Sequence, residues 1–83
     1  MVTPLNVPRE VHVVADEYGS PVSIWTRNRQ RRVTHIRNEW RIDDEWWRQE
    51  IARRYFDLEL GNGSIYTVFQ DLIHGSWYRQ HWA

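Results

Sequence analysis

The chain has 83 residues and no cysteine, so it fits one domain held together by hydrophobic burial, without disulfides or thiolate metal ligands. Eleven arginines balance eleven acidic residues, and this zero net charge excludes a global field that attracts nucleic acid or anionic membrane. Every basic residue is arginine, which reflects either genomic base composition or a use of arginine for stacking and bidentate contacts.

The sequence carries no targeting pattern. Its N-terminus lacks the charged and then apolar segments of a signal peptide, and no apolar run approaches the roughly 20 residues of a membrane span. The absence of cysteine is typical of a reducing compartment. We therefore expect a cytoplasmic protein without a membrane partner.

The first part of the chain predicts an arm and then a β-hairpin. Residues 1–8, framed by two prolines, form the arm, and residues 9–83 form a single β domain. Val11 and Val13 alternate with their neighbours, as do Val22 and Ile24 after a turn at residues 17–20. Alternation on both sides of a turn is typical of paired strands.

The next strand is rich in arginine and changes parity along its length. The polar residues 26–30 predict a second reversal. After it, Ile36, Trp40 and Ile42 share one parity, whereas Val33 has the other. A β-bulge between Val33 and Ile36 would reconcile them, because one inserted residue flips the facing of all that follow.

Residues 43–56 are ambiguous between helix and strand. Trp47, Ile51 and Tyr55 have helical spacing, and Asp43 or Asp44 would cap a first turn. Against a helix, residues 55–60 alternate strictly and lead into a tight turn. We predict a loop over residues 43–50, with room for one helical turn, and a strand over about residues 51–60.

Two further turns complete the pattern. Gly61-Asn62-Gly63 is typical of a β-hairpin and feeds an alternating run over residues 65–69, and residues 74–76 reverse the chain before a last strand at 77–82. Six short strands predict an all-β fold, an antiparallel meander that closes into a small SH3-like barrel. If the last strand ends as an exposed edge, it offers a route to a homodimer.

The sequence offers no constellation for catalysis. The four histidines, at positions 12, 35, 74 and 81, lack the spacing of a zinc motif, and the acidic cluster at 43–45 lacks the spaced ligands of a calcium loop. No phosphate-binding glycine pattern, cysteine nucleophile or nucleophile-elbow serine occurs. We expect a protein that is not an enzyme and that has no cofactor and no metal site.

Six tryptophans must be divided between the core and the surface. A domain of this size buries its largest side chains, which favours Trp40 and Trp77 as core residues. Trp46 and Trp47 are adjacent, so at least one of them is expected to be exposed. Trp25 is opposite in parity to Ile24 and is another candidate for exposure.

Several residues together resemble a small bacterial domain family. The resemblance spans roughly residues 20–80 and rests on Pro21-Val22-Ser23-Ile24-Trp25, Trp40-Arg41, Trp46-Trp47, Tyr55-Phe56, Gly63-Ser64-Ile65-Tyr66, Asp71 and Gly75-Ser76-Trp77-Tyr78. That family occurs as free-standing chains and as the C-terminal module of Y-family-polymerase-like proteins in the SOS mutagenesis cassette. The resemblance implies an accessory of translesion DNA synthesis, with a polymerase-like protein as partner, and it supplies no binding residues.

Arginines interleaved with aromatic residues support two hypotheses. Exposed tryptophan beside arginine is the composition of a protein-protein hot spot, and neutral charge favours this interpretation. The alternative is weak, sequence-independent binding of single-stranded or gapped DNA through a basic groove and stacking rings. The protein-binding candidates are Trp25, Arg41, Trp46, Trp47 and Arg48, and the DNA-binding candidates are Arg27, Arg29, Arg31, Arg32, Arg53 and Arg54.

Overall fold

The computed structural model describes residues 8–46 and 49–80, and its described part consists of antiparallel strands and turns. No helix occurs within those residues, so the predicted all-β class is confirmed. The strands are β1 (Arg9–Glu10), β2 (Val13–Ala15), β3 (Pro21–Thr26), β4 (Arg29–Trp46), β5 (Gln49–Leu60), β6 (Ile65–Asp71) and β7 (Trp77–Gln80).

The sheet curls until its two ends meet. Its strand order is β1-β7-β6-β5-β4-β3-β2, so the first two strands, consecutive in the chain, lie at opposite ends. Between them, the Val11 N–H donates to the Trp77 carbonyl (3.0 Å) and the His12 carbonyl accepts from the Trp25 N–H (2.9 Å). The predicted small barrel is confirmed. It has seven strands and not six, because the first predicted strand is divided into β1, which pairs with β7, and β2, which pairs with β3.

The core lies on the inward face of the alternating strands. Phe56, Leu58 and Leu60 are buried on β5, while Asp57 and Glu59 between them are partly exposed. Period-two alternation places every second side chain on the same face of a sheet, so the pattern predicted from the sequence fills the barrel. The core cluster is Ile24, Phe56, Leu58, Leu60, Val68 and Trp77, with Val11, Val13, Val33 and Tyr66 packed against it.

The predicted turns are present, and the second is tighter than its sequence suggests. Thr26 pairs with Arg29, so the reversal consists of Arg27 and Asn28 alone, with φ values of 49° and 66°. Positive φ at both positions is the geometry of a type I′ hairpin turn, which asparagine tolerates and arginine rarely adopts. Because no glycine marks the two-residue turn, the sequence predicted only a longer polar reversal over residues 26–30.

The predicted β-bulge is also present. The register between β4 and β5 shifts between Val33 and His35, inside the predicted interval, and shifts again between Ile36 and Asn38. Each irregularity increases local twist and helps a long strand to bend around a small barrel. β4 is therefore able to pair with β3 at its beginning and with β5 over the rest of its length.

The predicted loop at residues 43–50 is wrong. Asp43 pairs with Ala52 and Asp44 with Ile51, so the described residues on both sides of 47–48 continue the two strands as one long hairpin. A spacing of four residues keeps side chains on one face of a helix, but four is also a multiple of two and keeps them on one face of a strand. The spacing of Trp47, Ile51 and Tyr55 therefore could not separate the two structures.

The first and last described strands pair with each other. The last strand is not an edge, because Arg9 and Glu10 of β1 pair with Arg79 and Tyr78 of β7. Of the predicted N-terminal arm, residues 1–7 lie outside the described residues, as do residues 81–83 at the end of the predicted last strand.

Candidate functional site

Charge is distributed unevenly along the longest strand. β4 begins with three arginines, at positions 29, 31 and 32, and approaches its end through the acidic residues 43–45. β4 thus carries a basic group at one end and an acidic group at the other, although the net charge of the chain is zero. A local field of this kind attracts a charged ligand even when the whole chain is neutral.

A cleft lies at the basic end, where closure of the barrel brings distant parts of the sequence together. We call it the basic cleft; its volume is about 460 Å³. It lies among β1, the end of β3 with its turn, β6 and β7. Its lining residues are Arg9, Glu10, Val11, His12, Trp25, Thr26, Arg27, Asn28, Tyr66 and Arg79.

Two aromatic rings line the basic cleft, and they differ in accessibility. Trp25 is 42% exposed, because its neighbour Ile24 takes the inward face of β3 and leaves the indole on the outside. This confirms the exposure predicted from its parity. Tyr66 is partly buried against the core, and the Arg79 guanidinium lies 3.6 Å from the centre of its ring. Such close stacking fixes the direction in which the guanidinium points.

The arginines of the basic cleft have no acidic partners among the described residues. Among all the described residues, the arginines that form ion pairs are Arg37, Arg41 and Arg54, at N–O distances of 2.7–2.8 Å. None of these ion pairs involves Arg9, Arg27 or Arg79. The one acidic residue in the lining is Glu10. The cleft therefore presents positive charge that is not neutralised from within the described structure.

The six arginines predicted to bind DNA do not form one surface. Arg31 pairs with Ile24 on the inward side, and its Nε is buried without a hydrogen-bond partner among the described residues. Arg29 and Arg32 are exposed on β4 outside the cleft lining, and Arg27 lines the basic cleft.

Arg53 and Arg54, adjacent on β5, point to opposite faces and both take part in internal contacts. Arg53 lies 4.6 Å from the Phe69 ring centre and donates to the Tyr55 hydroxyl at 3.3 Å. Arg54 donates to Glu39 at 2.8 Å and to the Tyr18 carbonyl at 3.0 Å. These contacts hold the sheet and the β2–β3 turn in place, so we remove both residues from the candidate nucleic-acid site.

The residues predicted to form one protein-binding patch are also separated. Trp25 lies opposite Gln30 at the start of β4, and Arg41 follows eleven residues later, about 30 Å or more along the strand. Arg41 forms a bidentate pair with Asp43, which raises the pKa of the guanidinium above its ordinary value. The side chains of Trp46, Trp47 and Arg48 lie outside the described residues.

A row of aromatic rings crosses four strands on the face opposite the barrel core, and its two middle rings, Tyr55 and Phe69, are buried. Trp40 stacks on Tyr55 at a centroid distance of 5.2 Å, Tyr55 meets Phe69 at 4.9 Å, and Phe69 stacks on Tyr78 at 5.3 Å. We call this row the aromatic ladder. Its residues pair directly across neighbouring strands, a relation that depends on register and that no local pattern in the sequence reveals.

The acidic end of β4 forms a shallow concavity with the start of β5. It is lined by Asp43, Asp44, Glu45, Glu50 and Ile51. Strand alternation sends these carboxylates to different faces, and within the described residues no group of three histidine, aspartate or glutamate side chains converges as metal ligands would.

The β6–β7 turn is held by an aspartate–histidine pair. The Asp71 carboxylate lies 2.8 Å from His74 Nδ1 and accepts the backbone N–H of Ile73 at 2.9 Å. The hydrogen bond from His74 lowers the pKa of Asp71 below its ordinary value of 3.8, and the backbone N–H groups of Ile73 and His74 act in the same direction.

This pair predicts a loss of stability in acid. Because the pKa of Asp71 is lower in the folded state, its contribution is fully present above the unfolded pKa and is lost as pH falls through the folded one. We expect Asp71→Asn to be less stable than the unsubstituted protein at about pH 5, with the difference disappearing towards about pH 2. Urea unfolding at both pH values measures it, and a pH-independent difference would contradict this origin.

Sequence reasoning missed Arg9, His12, Tyr66 and Arg79, which share the basic cleft with Trp25. Some seventy positions separate Arg9 from Arg79, and only the pairing of β1 with β7 places them opposite each other. Comparisons with protein-family models, curated proteins and solved structures found no match to this chain. The described residues include no helix long and apolar enough to cross a membrane.

Proposed function

We propose that this chain is a non-catalytic binding module whose basic cleft holds a segment of single-stranded nucleic acid. The observation that carries the proposal is an exposed indole, Trp25, set among arginines that have no acidic partner in the described structure. Proteins that bind single strands without sequence preference combine these two elements, since bases stack on the ring and phosphates approach the cations.

The shape of the basic cleft agrees with a short segment of strand. Its volume of about 460 Å³ lies in the range of small-ligand pockets, which is roughly 300–1,000 Å³, and is too small for a duplex. Arg9 and Arg79 lie opposite each other on β1 and β7, while Arg27 approaches from the β3–β4 turn. A phosphate between them would meet positive charge from two sides, with a base placed on Trp25.

The family resemblance suggests where such an activity would be used. It implies an accessory of translesion synthesis, a process that exposes single-stranded template beside a polymerase. A small module with a basic cleft would hold that strand near the enzyme. Sequence-independent binding suits this role, because damage occurs at any sequence.

The test is fluorescence anisotropy of a labelled single-stranded oligonucleotide, titrated at low and at physiological salt. Three or four phosphate contacts predict a log-log salt slope of about −2 to −3, taking roughly −0.7 for each contact. Trp25→Leu is expected to weaken binding about 5- to 150-fold, because stacking of one base contributes ~1–3 kcal/mol. A flat salt response, or no binding, would rule the proposal out.

Tyr18→Leu is the matched control for the tryptophan substitution. Tyr18 is 76% exposed on the β2–β3 turn and does not line the basic cleft, so its removal should leave the affinity unchanged. Equal losses from both variants would indicate a general effect of exposed aromatic residues instead of a site at Trp25.

A protein partner is the second candidate, favoured by the outer face of the long hairpin. Ile42 is exposed and Trp40 beside it is partly exposed, whereas the next two rings of the aromatic ladder, Tyr55 and Phe69, are buried and only support this edge from behind. Aromatic and arginine side chains around an apolar centre are typical of interface hot spots. Binding of a purified polymerase-like cassette protein, lost in Ile42→Arg but retained in Trp25→Leu, would support this candidate over the first.

A further inference from the structure

One side of β4 has no neighbouring strand over most of its length. β3 pairs with β4 only across Arg29 to Arg32, whereas β5 pairs with its other side from Val33 to Trp46. Within the strands that the structure describes, no strand pairs with the free side of residues 33–46, and of the backbone groups there the Glu45 N–H donates to Asp44 Oδ1 at 2.8 Å. A long free edge of this kind is a template for pairing with another chain.

The direction of the backbone hydrogen bonds shows which residues face outward at this edge. The Ala52 carbonyl on β5 accepts from the Leu72 N–H at 2.8 Å, so Ala52 faces β6. Alternation then turns Arg53 and Tyr55 toward β4, where their partners are Ile42 and Trp40. The neighbours of these two partners, at positions 39, 41 and 43, thus direct their N–H and C=O groups to the free side.

If two copies of β4 pair antiparallel along this edge, the charges of the outward-facing residues decide which register is favourable. A two-fold axis at Glu39, Arg41 or Asp43 sets a charged residue opposite its own copy. An axis at Ile42 places Arg41 opposite Asp43 but Glu39 opposite Glu45. Like charges directly opposite each other are unfavourable in a sheet, so these four registers are disfavoured.

We infer that a second copy of this chain pairs with the free edge of β4, antiparallel and with the two-fold axis at Trp40. In that register Glu39 lies opposite Arg41 at two symmetric places, and Asp43 is brought toward Arg37. Both Glu39 and Arg41 are solvent-exposed on one face of the strand. Glu39 already pairs with Arg54 and Arg41 with Asp43, so the contacts between the two copies would share these exposed charges without rearranging the core. Exposed ion pairs contribute little affinity, but they select the register.

Trp40 adds a second reason for this register. Because its backbone groups are directed to β5, two copies of Trp40 would form a non-hydrogen-bonded pair, the arrangement in which opposite side chains approach most closely. The aromatic ladder would then run from Tyr78 through Trp40 into the ladder of the second copy. Aromatic cross-strand pairs are among the favourable contacts of antiparallel sheets.

Regular pairing would be short. The bulge between Ile36 and Asn38 interrupts β4 on one side of Trp40, which leaves about five to seven residues centred on the axis. An interface of this size and composition belongs to a weak, concentration-dependent dimer. The free edge is separate from the basic cleft, so this inference does not depend on nucleic-acid binding.

Charge exchange tests the inference by sedimentation velocity over a range of protein concentrations up to the millimolar region. The unsubstituted chain is expected to approach twice its monomer mass. Glu39→Arg and Arg41→Glu are each expected to stay monomeric, because each sets like charges opposite each other. An equimolar mixture of the two variants restores both opposite-charge pairs and is expected to dimerise. A monomeric unsubstituted chain, or a mixture that stays monomeric, would overturn the proposal.

Two further variants guard against a loss of folding. Glu39→Arg removes the contact with Arg54, so Arg41→Pro serves as an independent disruption: the Arg41 N–H points outward, and proline there leaves the pairing with β5 intact. Arg41→Pro should be folded and monomeric. Arg32→Glu, with the same charge change as Arg41→Glu but outside the proposed interface, should dimerise as the unsubstituted chain does. Dimerisation of Arg41→Pro would contradict pairing at this edge.

Discussion

Removal of three charges from the basic cleft is expected to weaken single-stranded oligonucleotide binding by about two orders of magnitude, taking ~1 kcal/mol for each exposed ion pair with a phosphate. The variant combines Arg9→Gln, Arg27→Asn and Arg79→Gln. Asparagine is chosen at position 27 because φ is +49° there, and asparagine accepts the left-handed region better than most residues. The log-log salt slope should become shallower by about two units. Anisotropy titrations at several salt concentrations measure both quantities.

A matched variant tests whether the loss of binding comes from the basic cleft or from the lower overall charge. Arg32→Gln, Arg37→Gln and Arg41→Gln together remove the same three charges from β4, outside the cleft lining. Two of these arginines are already paired with Glu59 and Asp43, so their phosphate contacts should be few. Its affinity and salt slope should stay close to those of the unsubstituted chain. Equal losses in the two triple variants would mean that binding follows net charge and has no defined site.

The parts of the fold that depend on local alternation could be predicted from the sequence. Leu58 and Leu60 on β5, and Ile24 on β3, lie in the core as their parity requires. The bulge after Val33 followed from a change of parity, which is itself a local signal. Each of these predictions rests on residues within a few positions of one another, where strand geometry decides most of the result. Val22 is the exception, because it shares the parity of Ile24 and yet is 42% exposed.

The parts that depend on register could not be predicted. The long hairpin was hidden because a spacing of four fits both helix and strand. The aromatic ladder exists because Trp40, Tyr55, Phe69 and Tyr78 come into line across four strands, and a slip of one residue in any pairing would break it. The free edge of β4 could not be predicted either, because it exists only since the pairing of β3 with β4 stops at Arg32.

The net charge of the sequence does not show how the charges are distributed in the structure. A neutral sum favoured a protein partner over nucleic acid. The basic cleft draws Arg9 and Arg79 from the two ends of the chain to the β3–β4 turn, while the acidic residues 43–45 lie near the far end of β4. Electrostatic attraction depends on where charges lie within about a Debye length, roughly 8–10 Å at physiological salt, and not on their sum over the chain. This local charge is why we propose nucleic acid ahead of a protein partner.

Phe56→Ala is expected to lower the free energy of unfolding by about 3–5 kcal/mol, the usual cost of deleting a buried aromatic ring. Phe56 is fully buried, its ring lies 5.7 Å from that of Trp77, and the Arg54 guanidinium lies 4.9 Å from its centre. It thus joins β5 to β7 through the barrel core. A domain of this size has a stability of about 4–12 kcal/mol, so this single change removes a large fraction of it.

Urea unfolding followed by tryptophan fluorescence measures this change, with two controls on the same sheet. Phe56→Leu keeps most of the volume and should cost less than about 1.5 kcal/mol, provided that the core repacks. Ile65→Ala removes an apolar side chain that is half exposed on β6 and should change stability by about 0.5 kcal/mol or less. A loss below about 1 kcal/mol for Phe56→Ala would mean that the ring is not enclosed on all sides. The contact between Phe56 and Trp77 would then not hold the two sides of the barrel together, and the basic cleft, which depends on that closure, would lose its structural basis.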